Sequence, residues 1–129
     1  RGALSLEVGT SNVIGLAALG ASIELLSQLG VRAIHAHVNA YLDLLEAGLA
    51  ERGFRSHRAK TPVLRSTLLS VSVPKGVRLS KLGAGLRHRG VVCNTPDGLM
   101  RFAPHWPNAH DEVPEALAIV DEALADVRG

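Results

Sequence analysis

Apolar residues recur along the chain in two periods, and each period predicts a different element. From Ser11 to about Leu29 the positions Val13, Ile14, Leu16, Leu19, Ile23, Leu25, Leu26 and Leu29 surround a helix on most of its sides. A helix that is apolar all round is normally covered on all sides, and Gly30 supplies its stop. The next segment, Val31 to about Arg52, is amphipathic. Val31, Ile34, Val38, Leu42, Leu45 and Leu49 recur at three- and four-residue spacing, with Arg32, His35, Asn39, Asp43 and Glu46 opposite, and Gly53 ends it. Between Leu64 and Val73 the period changes to two: Leu69, Val71 and Val73 alternate with Ser70 and Ser72, which predicts a half-buried strand. A short helix follows from about Arg78 to His88, with Leu79, Leu82 and Leu86 inward and Gly90 as its stop. Gly90 to Asn94 and Leu99 to Ala103 read as two strands, joined by Thr95-Pro96-Asp97-Gly98 as a hairpin turn. A last helix runs from near Asp111 to about Val127 on Val113, Leu117, Val120, Leu124 and Val127. Pro114, tolerated only in a first turn, fixes its start.

The order helix, helix, strand, helix, strand, strand, helix predicts an α+β architecture, in the wider sense α/β: a small, mainly antiparallel sheet with helices packed on one face. The first helix carries more apolar surface than such a layer covers. It is expected to pack against something outside this chain. Arg52 to Arg65 is polar and basic, and reads as a solvated loop with one short edge strand.

Composition narrows the function classes. The 129 residues make about one ordinary domain. They are 47% hydrophobic, which excludes a disordered chain. Net charge is only +2, and the aromatics are only Tyr41, Phe54, Phe102 and Trp106; neither a basic nucleic-acid module nor a base-stacking platform is expected. The longest apolar-plus-glycine run, Val13 to Ala21, is too short for a bilayer, so no membrane partner is expected. The single cysteine, Cys93, excludes an internal disulfide and fits a reducing, cytoplasmic setting. In its predicted strand beside Val91 and Val92 it reads as a buried, inert thiol. The start at Arg1, together with the surplus of apolar residues, suggests a piece of a larger protein.

Three segments carry candidate chemistry. Gly9-Thr10-Ser11-Asn12 stands at the mouth of the first helix. Free backbone N–H groups, the helix dipole and two hydroxyls there suit a phosphate, although an ordinary helix cap uses the same residues. Arg101 lies alone among apolar neighbours in a strand; it either faces solvent or grips a carboxylate with both arms of its guanidinium. His105, Trp106 and Asn108 follow in a proline-punctuated segment. No metal site is expected. His35 and His37 are two apart on a helix and diverge, and His105 and His110 lack a carboxylate or thiolate at ligand spacing. No P-loop, nucleophile elbow or dinucleotide fingerprint is present.

Two of these segments together resemble the class-V aminotransferase family. Leu6-Glu7-Val8-Gly9-Thr10-Ser11-Asn12, followed by Gly15-Leu16, is similar to the family's Phe-Glu-Ala-Gly-Thr-Pro-Asn stretch. Arg101-Phe102-Ala103-Pro104-His105, with Asn108, is similar to its C-terminal Arg-Ile-Ser/Ala-Pro-His-x-Tyr-Asn segment. The family includes cysteine desulfurases, selenocysteine lyases and isopenicillin-N epimerase-like proteins, all pyridoxal-phosphate enzymes of fold type I. The resemblance implies a C-terminal portion, with residues 1–30 ending the large cofactor domain and 31–129 forming the small domain. It implies that Gly9 and Thr10 contact the cofactor phosphate, across the interface of a homodimer. Arg101 is implied to hold the α-carboxylate of an amino-acid substrate, with Asn12, His105 and Asn108 in support.

The departures are equally specific. The family holds its cofactor on a lysine upstream of the Gly-Thr pair, whereas the lysines here are Lys60, Lys75 and Lys81. No catalytic residue is therefore expected in this chain, which alone is expected to be inactive. The resemblance places a desulfurase's sulfur-accepting cysteine just after the substrate arginine, where Trp106 stands, and Cys93 does not match. Pro107 occupies a position where relatives often carry tyrosine. The reading is a fragment of a transferase or lyase acting on an amino acid. The alternatives are a carbon–sulfur lyase or desulfurase of the same family, and a non-catalytic α+β domain that binds an anion or a protein.

Overall fold

A computed structural model describes Gly9 and residues 12–128. The chain divides into two compact units, Arg1–Ala33 and Ile34–Gly129. In the first, helix α1 spans Val13–Leu29. Asn12 caps it: its Oδ1 accepts from the Gly15 N–H at 2.9 Å. Gly15 makes room for that cap, because a Cβ there would run into the Asn12 amide. At the far end Gly30 takes φ 83° and its N–H donates to the Leu26 carbonyl. No residue of α1 is buried, and Ile14 is 85% exposed. The helix is formed by local caps and propensity, and its apolar surface is uncovered among the described residues.

The second unit holds the core. Helix α2 covers Val31–Glu51, and its inward stripe is Val38, Tyr41, Leu42, Leu45 and Leu49. Gly48 stands in that stripe because α4 (Val113–Arg128) comes close: an added Cβ would meet the end of Leu117. The strands β1 (Arg55–Ser56), β2 (Leu69–Ser72) and β3 (Met100–Phe102) form an antiparallel sheet in that order. Leu69, Val71, Met100 and Phe102 point to one face and join a single core with the buried side chains of α2, α4 and α3 (Leu79–His88). Ser70, Ser72 and Arg101 alternate with them and therefore belong to the other face. The architecture is the expected α+β layer, a small antiparallel sheet with helices on one face.

Two segments depart from expectation. Gly90 to Asn94 is not a strand; it contributes only the bridge Asn94↔Arg101. The link between Asn94 and β3 is a tight turn. Leu99 N–H closes onto the Pro96 carbonyl at 2.9 Å, and Asp97 and Gly98 both take positive φ, 55° and 74°. The basic stretch Arg52 to Arg65 holds the expected short edge strand, β1, and is exposed from Lys60 to Leu64, but three of its arginines are not left to solvent. Arg58 has a side chain only 2% exposed and bonds Asp43 at 2.6 Å and Glu46 at 2.8 Å. Arg52 pairs with Asp121, and Arg65 with Asp43. Acidic residues on α2 and α4 thus pull this segment onto the helices.

Cys93 is buried, as its apolar neighbours imply, and burial pushes its thiol above the ordinary value, against a smaller opposing pull from Arg87. A raised thiol is a poor nucleophile because little thiolate forms. Alkylation by iodoacetamide at pH 8 is expected to run at least about tenfold slower in the folded chain than in denaturant. Equal rates, read by mass spectrometry, would show the thiol to be open.

Candidate active-site fragment

The sheet's outward face carries the polar groups. β2 and β3 place Ser70 directly opposite Arg101, and the Asn94 bridge lies on its other side. His57 follows β1, donates its backbone N–H to the Ser70 carbonyl at 2.9 Å, and sets its ring Nε2 2.7 Å from the Ser72 hydroxyl. A hollow of about 310 Å³ opens there, lined by His57, Arg58, Leu64, Ser66, Ser70 and Arg101. Two guanidinium groups line it, and they differ in state. Arg58 is neutralised by Asp43 and Glu46 and also donates to Asn39 Oδ1 at 2.6 Å. Arg101 is half-buried and has no ion pair among the described residues. Its charge is free for an anion that enters the hollow.

A larger hollow of about 420 Å³ lies on the helix side, over Tyr41, Leu45, Phe102 and Ile119. Its charged lining is Glu112, Glu115 and Arg89, and Arg89 is already held by Glu122 and Asp126. That balance is unsuited to an anionic substrate. Arg101, not volume, decides which hollow matters for carboxylate binding.

The residues after Arg101 bond to one another and to α2. His105 donates its backbone N–H to Asn108 Oδ1 at 2.9 Å, and Asn108 Nδ2 reaches Glu112 at 3.1 Å. With the Ala109 N–H, these bonds hold the Glu112 carboxyl below its ordinary value. The segment is then fastened to α2. His37 Nε2 meets the Asn108 carbonyl at 2.8 Å, His110 Nε2 meets the His37 carbonyl at 3.0 Å, and the two rings stack at 4.4 Å. His105 and Asn108 thus fix the course of the chain leaving β3 without facing the hollow.

Gly9 and Asn12 belong to the first unit, and Arg101, His105 and Asn108 to the second. Gly9 is exposed with φ 110° and open space around it. Thr10 lies outside the described residues. Asn12 is committed to the helix cap. The cap takes the Gly15 N–H and leaves those of Val13 and Ile14, which a first turn does not bond internally. An anionic group therefore fits this helix mouth, with Gly9 permitting close backbone approach. Among the described residues no group of three or more metal-ligating side chains gathers, and no single helix is long and apolar enough to cross a membrane. Sequence reasoning missed Ser70, His57 and Arg58. Alternation alone places Ser70 on the outward face, but its pairing with Arg101 depends on register across 31 residues.

Comparisons with known proteins agree with this fold. No curated protein matches the chain. Among solved structures, it is similar to the cysteine desulfurase CsdA from Escherichia coli, in its S-sulfonic acid form, at 26% identity and a TM-score of 0.83, over 94% of this chain and 33% of that one. The apo cysteine desulfurase from Thermococcus onnurineus NA1 gives 20% identity and 0.83, over 93% and 33%, and shares the fold. A NifS-like protein gives 23% and 0.79, over 92% and 35%. The chain spans about a third of the length of these structures. The profile of the class-V aminotransferases matches residues 3–100, ending one residue before Arg101. With three quarters of its length matched by that profile, the chain belongs to the class-V aminotransferase family.

Proposed function

We propose that this chain is the carboxylate-binding part of a pyridoxal-phosphate-dependent transferase or lyase acting on an amino acid. One observation carries the reading: Arg101, on the polar face of the sheet, lines a hollow and has no ion pair among the described residues. Arg101 binds the substrate α-carboxylate and orients the α-carbon. Ser66 and Ser70 offer hydroxyls beside it, while the neutralised Arg58 forms a wall without adding net charge. The helix mouth at Gly9, with Thr10, takes the cofactor phosphate, contributed to the neighbouring subunit of a homodimer. Pyridoxal phosphate, when bound, supplies an electron sink at the substrate α-carbon. Lys60, Lys75 and Lys81 all lie downstream of Gly9 and Thr10, whereas the family's cofactor lysine lies upstream, so the lysine that holds the cofactor comes from a part of the protein beyond this chain. That part also covers the apolar surface of α1, in a cytoplasmic enzyme.

The test uses the protein extended upstream to include a lysine-bearing domain, loaded with cofactor and titrated with amino acids while cofactor absorbance is followed. Arg101→Ala is expected to weaken amino-acid binding about 10- to 100-fold, the range for a charge-assisted pair. Unchanged affinity would remove Arg101 from the site. The likeness to the Escherichia coli desulfurase favours carbon–sulfur cleavage as a second reading. Sulfide from cysteine, with a thiol added to reduce any persulfide formed, would select it, and amino-group transfer without sulfide would select the first.

A further inference from the structure

The guanidinium of Arg101 has one polar contact among the described residues, the Ser70 hydroxyl. Its Nε lies 3.5 Å from Ser70 Oγ. The pairing is built into the sheet, because Ser70 and Arg101 are register partners on the same face. The neighbours of Ser70 are otherwise engaged. Its carbonyl receives the His57 N–H, and the His57 ring bonds Ser72 instead. Ser70 Oγ is thereby left to Arg101.

The identity of the contacted atom has a consequence. A guanidinium can take a carboxylate from the side, through Nε and one Nη, or end-on, through both Nη groups. An acceptor on Nε occupies the side approach. It leaves the four Nη hydrogens, two of which form a parallel fork. The contact is long, and bonds of this kind tighten when a ligand is bound. We propose that Ser70 is a positioning residue for Arg101: its hydroxyl holds Nε, so that a substrate carboxylate is taken end-on by the two Nη groups. This rests on the carboxylate-binding reading of Arg101.

The experiment uses the full 129-residue chain, labelled with ¹⁵N, and two isosteric variants that differ by one hydroxyl, Ser70→Thr and Ser70→Val. Both suit a half-exposed strand position, and the amide spectrum reports that each folds. Without ligand, hydrogen exchange at Arg101 Nε is expected to be about three- to tenfold faster in Ser70→Val than in Ser70→Thr, which should match the parent. Propionate is then titrated as a carboxylate lacking an amine. Ser70→Val is expected to bind it about three- to tenfold more weakly than Ser70→Thr, and Arg101→Leu to lose the response. Equal exchange, or equal propionate affinity, in the Thr and Val variants overturns the positioning role. Arg101→Leu binding propionate like the parent overturns instead the reading beneath it. The two failures are therefore separable.

Discussion

Replacing Arg58 by methionine is expected to destabilise the second unit by about 2–4 kcal/mol. The methionine keeps an unbranched apolar stem in the same space, so the loss isolates the guanidinium. That group is almost wholly enclosed and bonds Asp43, Glu46 and Asn39, all on α2. Removing it leaves two carboxylates one helical turn apart with no shared cation, since Arg65 reaches only Asp43. It also frees the segment after β1 from the helix. Arg89→Met supplies the contrast. Arg89 pairs with Glu122 and Asp126, whose side chains are 66% and 62% exposed. Exposed pairs contribute at most about 1 kcal/mol and fade in salt. Thermal unfolding at low and at 0.5 M salt, with both variants, separates the two cases. An Arg58→Met loss that vanishes in salt would show that the buried pair behaves like a surface pair.

The second large effect is expected at Leu86. It is fully buried at the end of α3, and its carbonyl receives the Val91 N–H at 3.0 Å. Leu86→Ala removes buried methyl groups beneath the packing of α3 on α4, where Gly85 already brings the backbone close to Ala123. Little slack remains to collapse into the space. A cost of about 3 kcal/mol is expected, typical of buried leucine truncations. In a domain of this size that lowers Tm by more than about 10 °C. A shift under about 3 °C would mean that the helices close over the gap.

Much of the fold was legible because the signals were local. The α2 stripe of Val38, Leu42, Leu45 and Leu49 is buried as its spacing requires, and Gly30, Gly53 and Gly90 take the positive φ of chain reversals. The alternation Leu69, Ser70, Val71, Ser72 is realised residue by residue. Gly90 to Asn94 failed for a non-local reason. Val91 and Cys93 are apolar because they pack on the core, and burial does not require a paired strand. Arg58 failed in the opposite sense: its charge suggests solvent, and only the placement of Asp43 and Glu46 on a neighbouring helix makes burial tolerable. At the site, the strand position of Arg101 and a cap within the Gly9–Asn12 cluster could be read from pattern and residue type. The roles of Ser70 and His57 required strand register, which one-dimensional pattern does not determine.

The two-residue period of β3 has a consequence for how this chain can vary. Met100 and Phe102 are anchored in the core on either side of Arg101. Deleting or inserting a single residue between the Asp97-Gly98 turn and Phe102 would exchange faces, driving the guanidinium inward and an aromatic ring outward. Insertions between Arg58 and Leu68, by contrast, change the rim of the hollow and leave that alternation untouched. Length variation is tolerable at the rim and forbidden at the strand: the core acts as the ruler for the position of the binding charge.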